Sequence, residues 1–231
     1  MASGDLSGAT VVFDLDGTLV DTAPDLVRAL NETLDLEGLP RLRVDAVRKL
    51  VGQGARALIE RASALSGVTF SADRLGELTH AFIDFYRADI AAHSAPFPGV
   101  VDELQFLAEM GATLSVCTNK RTDLSLLLLE KLDLARRFAV IVGADAVTDK
   151  KPHPEHYRAA VMRAGGTVAR SLMIGDTSAD VQSARAAGAP VAVVSFGYSD
   201  VDAAELGADI LLHRYSDLSP VCRRLFAAPG H

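Results

Sequence analysis

Asp14 and Asp16 flank a single leucine where the apolar run TVVFDL, residues 10–15, comes to its end. Two carboxylates at one strand end can form a turn and cap the next helix, or they can form a charged site. Further along, Thr118 and Asn119 follow the apolar run 112–117, Lys151 lies in the loop after 138–143, and Asp176 and Asp180 close or follow 171–176. Carboxylates crowded at one edge repel each other unless a cation intervenes, and hard oxygen ligands suit Mg²⁺. A hydroxyl and an ammonium suit an anion with several oxygens. The set therefore describes chemistry on magnesium and phosphate. Plainer readings stand beside it: Asp16-Gly17 as a turn, Thr118 as a helix cap, Lys151 as a solvated loop lysine like Lys150, and Asp180 as an acid in a helix's first turn. Cys117, in an apolar strand, reads as core.

Those residues act together only if the elements bring their strand ends to one edge. Besides the four runs above, PVAVVSF (190–196) and the weaker ADILL (208–212) have strand character. Helical patterns lie between them at 100–110, 121–132, 154–165 with Pro154 at a helix start, and 178–188 ending in Gly188. Alternating strand and helix predict an α/β, Rossmann-like parallel sheet with right-handed crossovers, which binds ligands beyond the carboxyl ends of its strands. Residues 20–97 break the rhythm, with helical patterns at 23–38, 55–67 and 71–93 and no convincing strand. This predicts an inserted α-helical cap at 20–97 on a core formed by 1–19 and 98–231, with linkers at DTAP and HSAPFPG, where Pro96 and Pro98 restrict the backbone.

A chain of 231 residues with 49% hydrophobic content accommodates this arrangement. A net charge of −7 and a pI of about 5.3 disfavour nucleic acid as a partner. Cys117 and Cys222 supply no disulfide framework and no zinc-type pair. The start, MASGDLSGAT, has no apolar secretory core and reads as frayed, and LSLLLLE at 124–130 is too short to span a bilayer. The expectation is a soluble, cytoplasmic protein with a small-molecule partner and no membrane association.

The motifs DLDGT (14–18), TNK (118–120), KKPHP (150–154) and GDTSAD (175–180) occur in the order found in the haloacid dehalogenase superfamily, and the chain resembles its phosphatase branch over nearly its whole length. The resemblance implies Asp14 as nucleophile, giving an aspartyl phosphate, and Asp16 as general acid and then general base. It implies Mg²⁺ on Asp14, the Asp16 carbonyl and Asp176, with Asp180 behind them. Thr118 and Lys151, assisted by main-chain N–H groups near Gly17 and Asn119, would hold the phosphoryl oxygens. An acid at position 16 favours phosphoryl transfer over dehalogenation, whereas phosphomutases share all the core motifs.

In the insertion, LVGQGARALIERA (50–62) is similar to the cap segment of phosphoglycolate phosphatases, as are DTAPDL and residues 196–211. On that likeness Arg56, after a turn allowed by Gly52 and Gly54, reaches a second anionic group of the substrate on cap closure; the plainer reading is a surface arginine. A small phosphorylated metabolite is the implied partner, 2-phosphoglycolate foremost. Sugar phosphates, N-acetylmuramic acid 6-phosphate and nucleotides share the same core. Outside enzymes, a receiver-like switch lacks an acid such as Asp16 beside its acceptor, and a silent scaffold is expected to lack one of the core residues.

Overall fold

The protein is described over residues 6–227 by a computed structural model. Strand β1 (Thr10–Phe13) is followed by β2 (Val20–Asp21), α1 (Ala23–Asp35), α2 (Val44–Arg48), α3 (Ala55–Ala64), α4 (Ala72–Ala88) and β3 (Ala95–Pro96). Then come α5 (Val100–Glu109), β4 (Thr113–Cys117), α6 (Thr122–Lys131), β5 (Val140–Val142), α7 (Pro154–Arg163) and β6 (Ser171–Gly175). The chain closes with α8 (Ser178–Ala187), β7 (Val191–Val194), β8 (Ile210–Leu212) and α9 (Leu218–Phe226).

Six strands form one parallel sheet in the order β5-β4-β1-β6-β7-β8. All six are the strands expected from the apolar runs. Both faces of β1 are buried: alternation sends Val11 and Phe13 to one core and Val12, with Cys117 and Met173, to the other. The second core is closed by Tyr157 and Val161 of α7 and Val181 and Ala184 of α8. Because β1 lies between β4 and β6, the ends of three strands bring Asp14, Thr118 and Asp176 to one edge. Helix α8 starts there with a capping box between Thr177 and Asp180.

Between β2 and β3 the described residues are helical, with α4 packed against α1 and α3. The two-residue strands β2 and β3 pair antiparallel, Val20 opposite Pro96 and Asp21 opposite Ala95, so the two linkers cross side by side. This pair and α2 escaped the sequence patterns. At the start of the chain, residues 1–5 lie outside the described residues. From Leu6 onward the expected fraying gives way to packing: Leu6 is buried and its N–H donates to the Met110 carbonyl at 2.8 Å. No helix among the described residues is long and apolar enough to cross a membrane. Both cysteines are free and buried.

Candidate active site

Lys151 is a lysine with 2% of its surface exposed, a position that needs full compensation. Its Nζ forms an ion pair with Asp14 Oδ1 at 3.0 Å and donates to Asp180 Oδ1 at 2.6 Å and to the Cys117 carbonyl at 2.7 Å. Burial favours the neutral amine, but the Asp14 and Asp180 carboxylates outweigh it and hold Lys151 charged. The loop that carries it is pinned by His156: Lys151 N–H donates to Nδ1 at 3.2 Å, which leaves Nε2–H to donate to the Val142 carbonyl at 3.0 Å. Burial pushes His156 down to about 4, so the ring is neutral.

Asp14, Asp176 and Asp180 are fully buried and offer carboxylate oxygens within 4.8 Å of one another. Burial, opposed by Lys151 and reinforced by Asp180 and Asp16, raises Asp14 to about 6. Burial and the Asp14 and Asp180 charges raise Asp176 well above the carboxylate range. One ammonium is too little charge for three buried carboxylates, and their oxygens suit a hard divalent cation. This donor set fits Mg²⁺. Asp176 is held from behind, accepting from the Thr18 hydroxyl at 2.8 Å and from Tyr198 N–H at 2.7 Å. Asp180 Oδ2 accepts from the main-chain N–H groups of Asp176 and Thr177 and from the Thr177 hydroxyl. Asp180 thus anchors Lys151 through one oxygen and the start of α8 through the other.

Asp16 lies on the side facing the helical unit. Its Oδ1 accepts from the Thr22 hydroxyl at 2.7 Å and from Lys120 Nζ at 2.8 Å. Thr118 is buried, and its hydroxyl accepts from Lys120 N–H at 3.2 Å while keeping its own hydrogen to donate. It caps no helix, since α6 begins at Thr122.

The structure alters two expectations, for Gly17 and Arg56, and adds a role for the Asn119 side chain. The Gly17 N–H, expected to assist a phosphoryl oxygen, donates to the Val20 carbonyl at 3.0 Å and is spent in the turn. What position 17 requires is space: φ is +82° and a Cβ would lie 2.4 Å from Asp176 Oδ2. The Asn119 side chain adds a bracing role beside the expected one of its main chain, its Nδ2 donating to the carbonyls of Lys151 and Gly52 at 3.0 Å each. Arg56, expected to approach Asp14, is exposed and does not line the cavity over the carboxylates, although this cavity is already covered. The walls contributed by its own segment are Val51, Gly52, Gly54, Ala55 and Leu58.

Covering is achieved by the 52–54 loop. Gly52 receives the Asn119 bond, and Lys150 Nζ donates to the Gln53 carbonyl at 2.7 Å. Lys150 is therefore a docking group and Lys151 the lysine of the carboxylates. Lys120 and Tyr86 were not singled out from the sequence as site residues, yet both line the cavity. Lys120 belongs to the TNK motif, which signals nothing about its direction, and Tyr86 has the position of one more apolar-face residue of α4.

A profile of the haloacid dehalogenase-like hydrolases matches residues 11–194. The phosphoglycolate phosphatase of Caulobacter vibrioides is 50% identical over 97% of this chain and 94% of its own, and that of Agrobacterium fabrum is 44% identical over 95% and 94%. A crystal structure of a predicted phosphoglycolate phosphatase from Haemophilus somnus superposes with a TM-score of 0.86 at 25% identity, covering 96% of this chain and 99% of that one.

Proposed function

The chain belongs to the haloacid dehalogenase-like hydrolase family, and from that membership we propose that it hydrolyses 2-phosphoglycolate to glycolate and phosphate through an aspartyl phosphate. The observation that carries the proposal is the buried Asp14 carboxylate, 3.0 Å from Lys151 Nζ, below a covered cavity that Asp16 lines from the other side. The names of the relatives supply the substrate.

Asp14 Oδ2 attacks phosphorus while the ester P–O bond breaks, and Asp16 delivers a proton to the departing glycolate oxygen. In the second step water attacks the aspartyl phosphate, Asp16 takes its proton, and Asp14 is released. Lys151 and the Thr118 hydroxyl hold the equatorial phosphoryl oxygens, and the Thr22 hydroxyl orients Asp16. Asp14, Asp176 and the main-chain carbonyl of Asp16 would hold Mg²⁺, which when bound offsets the charge between carboxylate and phosphate. Gly52 and Gln53, docked on Asn119 and Lys150, keep bulk water from the first step.

The test is phosphate release, with and without Mg²⁺, across 2-phosphoglycolate, hexose phosphates, N-acetylmuramic acid 6-phosphate and nucleotides. Preference for 2-phosphoglycolate, lost without the metal, is the expected result. Preference for any other ester would overturn the substrate while leaving the phosphatase chemistry.

A further inference from the structure

A substrate with a carboxylate beside its phosphate needs a second cation in the cavity, and the cavity offers few. Lys151 is committed to Asp14, Asp180 and the transferring phosphoryl group, Arg56 lies outside, and Arg121, at the rim, is exposed and bonded to Asp123. Lys120 is different. It lines the cavity and is 8% exposed. Two of its three ammonium hydrogens are taken, by Asp16 Oδ1 at 2.8 Å and by the Tyr86 hydroxyl oxygen at 3.0 Å. Its third hydrogen has no acceptor among the described residues. Tyr86 accepts from Lys120 and donates to nothing described, so its own hydrogen is also available.

We propose that Lys120, assisted by the Tyr86 hydroxyl, is the specificity-determining residue that receives the substrate's carboxylate. This rests on the 2-phosphoglycolate reading and deepens it. Two free donors carried by atoms 3.0 Å apart match the paired oxygens of one carboxylate. Their location also matches the substrate's length. In 2-phosphoglycolate a single methylene separates the ester oxygen from the carboxylate carbon, and Asp16, which must reach that ester oxygen, already touches Lys120. A carboxylate seated on Lys120 therefore holds the ester oxygen against Asp16. The wall beyond, formed by Leu26, Leu58 and Phe82, offers a charged group no partner. Lys120 thus takes the part that the family resemblance implies for Arg56.

The experiment compares kcat/KM for 2-phosphoglycolate with that for ethyl phosphate, which carries a methyl group where the substrate has its carboxylate, at saturating Mg²⁺. The wild type is expected to prefer 2-phosphoglycolate. In Lys120→Met that preference should fall roughly 10- to 100-fold, the range for a charged hydrogen bond, mainly through KM. In Tyr86→Phe it should fall several-fold, and in Arg56→Ala it should stay as in the wild type. If Lys120→Met is insoluble, Lys120→Gln carries the test, with a smaller fall expected. A wild type without the preference would overturn the substrate reading itself. A wild-type preference that survives in a soluble Lys120 variant, or disappears in Arg56→Ala, would overturn the assignment to Lys120 alone.

Discussion

Asp14 and Asp16 differ in what surrounds them more than in what they are. Asp14 is buried against a lysine and two further carboxylates, whereas Asp16 lines the cavity under a lysine and a threonine. A nucleophile has no substitute, so Asp14→Asn should reduce phosphate release by about 10³-fold or more at any Mg²⁺ concentration. Proton transfer has a partial substitute in a good leaving group. Asp16→Asn should therefore slow an alkyl phosphate about 10²- to 10⁴-fold, while p-nitrophenyl phosphate, whose phenolate leaves without a proton, loses much less in the first step. Burst kinetics with p-nitrophenyl phosphate would read this as rapid nitrophenolate release followed by slow turnover. Equal losses on both substrates, with no burst, would contradict the role. The roles of these aspartates, Thr118 and Lys151 could be proposed from the sequence because each stands in a motif shared with the family and beyond the carboxyl end of a strand. Lys120 could not: lysine is ordinarily exposed, and nothing in TNK announces that its ammonium turns inward to an aspartate and a tyrosine.

At the scale of elements, the runs of β1, β4, β6 and β7 were legible because a strand buried on both faces must be apolar throughout, whereas the half-buried edge strand β8 gave a weaker signal. The two-residue strands β2 and β3 are too short to carry any period, and α2 spans five residues. Helix α9 contains Pro220, which interrupts the pattern, although in the first turn proline loses no helical bond. Arg56 shows a different limit. Helical period tells which positions share a face, and Leu58, Ile59, Ala62 and Ser63 are the buried ones in α3; it does not tell which face looks into a cavity. The loop before α3 yields a sharper expectation. Gly54 has φ of +91° and a Cβ there would lie 3.3 Å from the Asn119 carbonyl. Gly54→Ala should thus disfavour docking of the loop, raising KM several-fold or more, with a change in Tm of no more than a few degrees. A KM as in the wild type would show that docking of this loop is not needed for binding.

Across the whole molecule, charge at the sheet edge ties stability to metal and pH. The fold raises Asp14 from 3.8 to about 6 and also raises Asp176 well above its ordinary value. A raised carboxylate stabilises the fold fully below its unfolded value and loses that contribution as pH climbs through the folded one, for Asp14 alone on the order of 3 kcal/mol. His156 works the other way: lowered to about 4, it contributes stability at neutral pH that is lost as pH falls from 6.5 towards 4. The two trends oppose each other between pH 4 and 6, so the informative quantity is the difference that metal makes. The rise in Tm produced by Mg²⁺ over EDTA should be larger at pH 8 than at pH 5, and Asp176→Asn should shrink it. An equal rise at both values would place the cation elsewhere. The position of β1 also orders events during synthesis. This strand, the first made, lies between β4 and β6, whose last residue is Gly175. At cellular translation rates its second neighbour emerges on the order of 10 s later. For that interval Val11, Val12 and Phe13 have no complete sheet to enter, while α1 to α4 emerge early and contact one another locally. The residues that become the floor of the site thus begin as an apolar nascent segment whose last sheet partner is among the later elements translated.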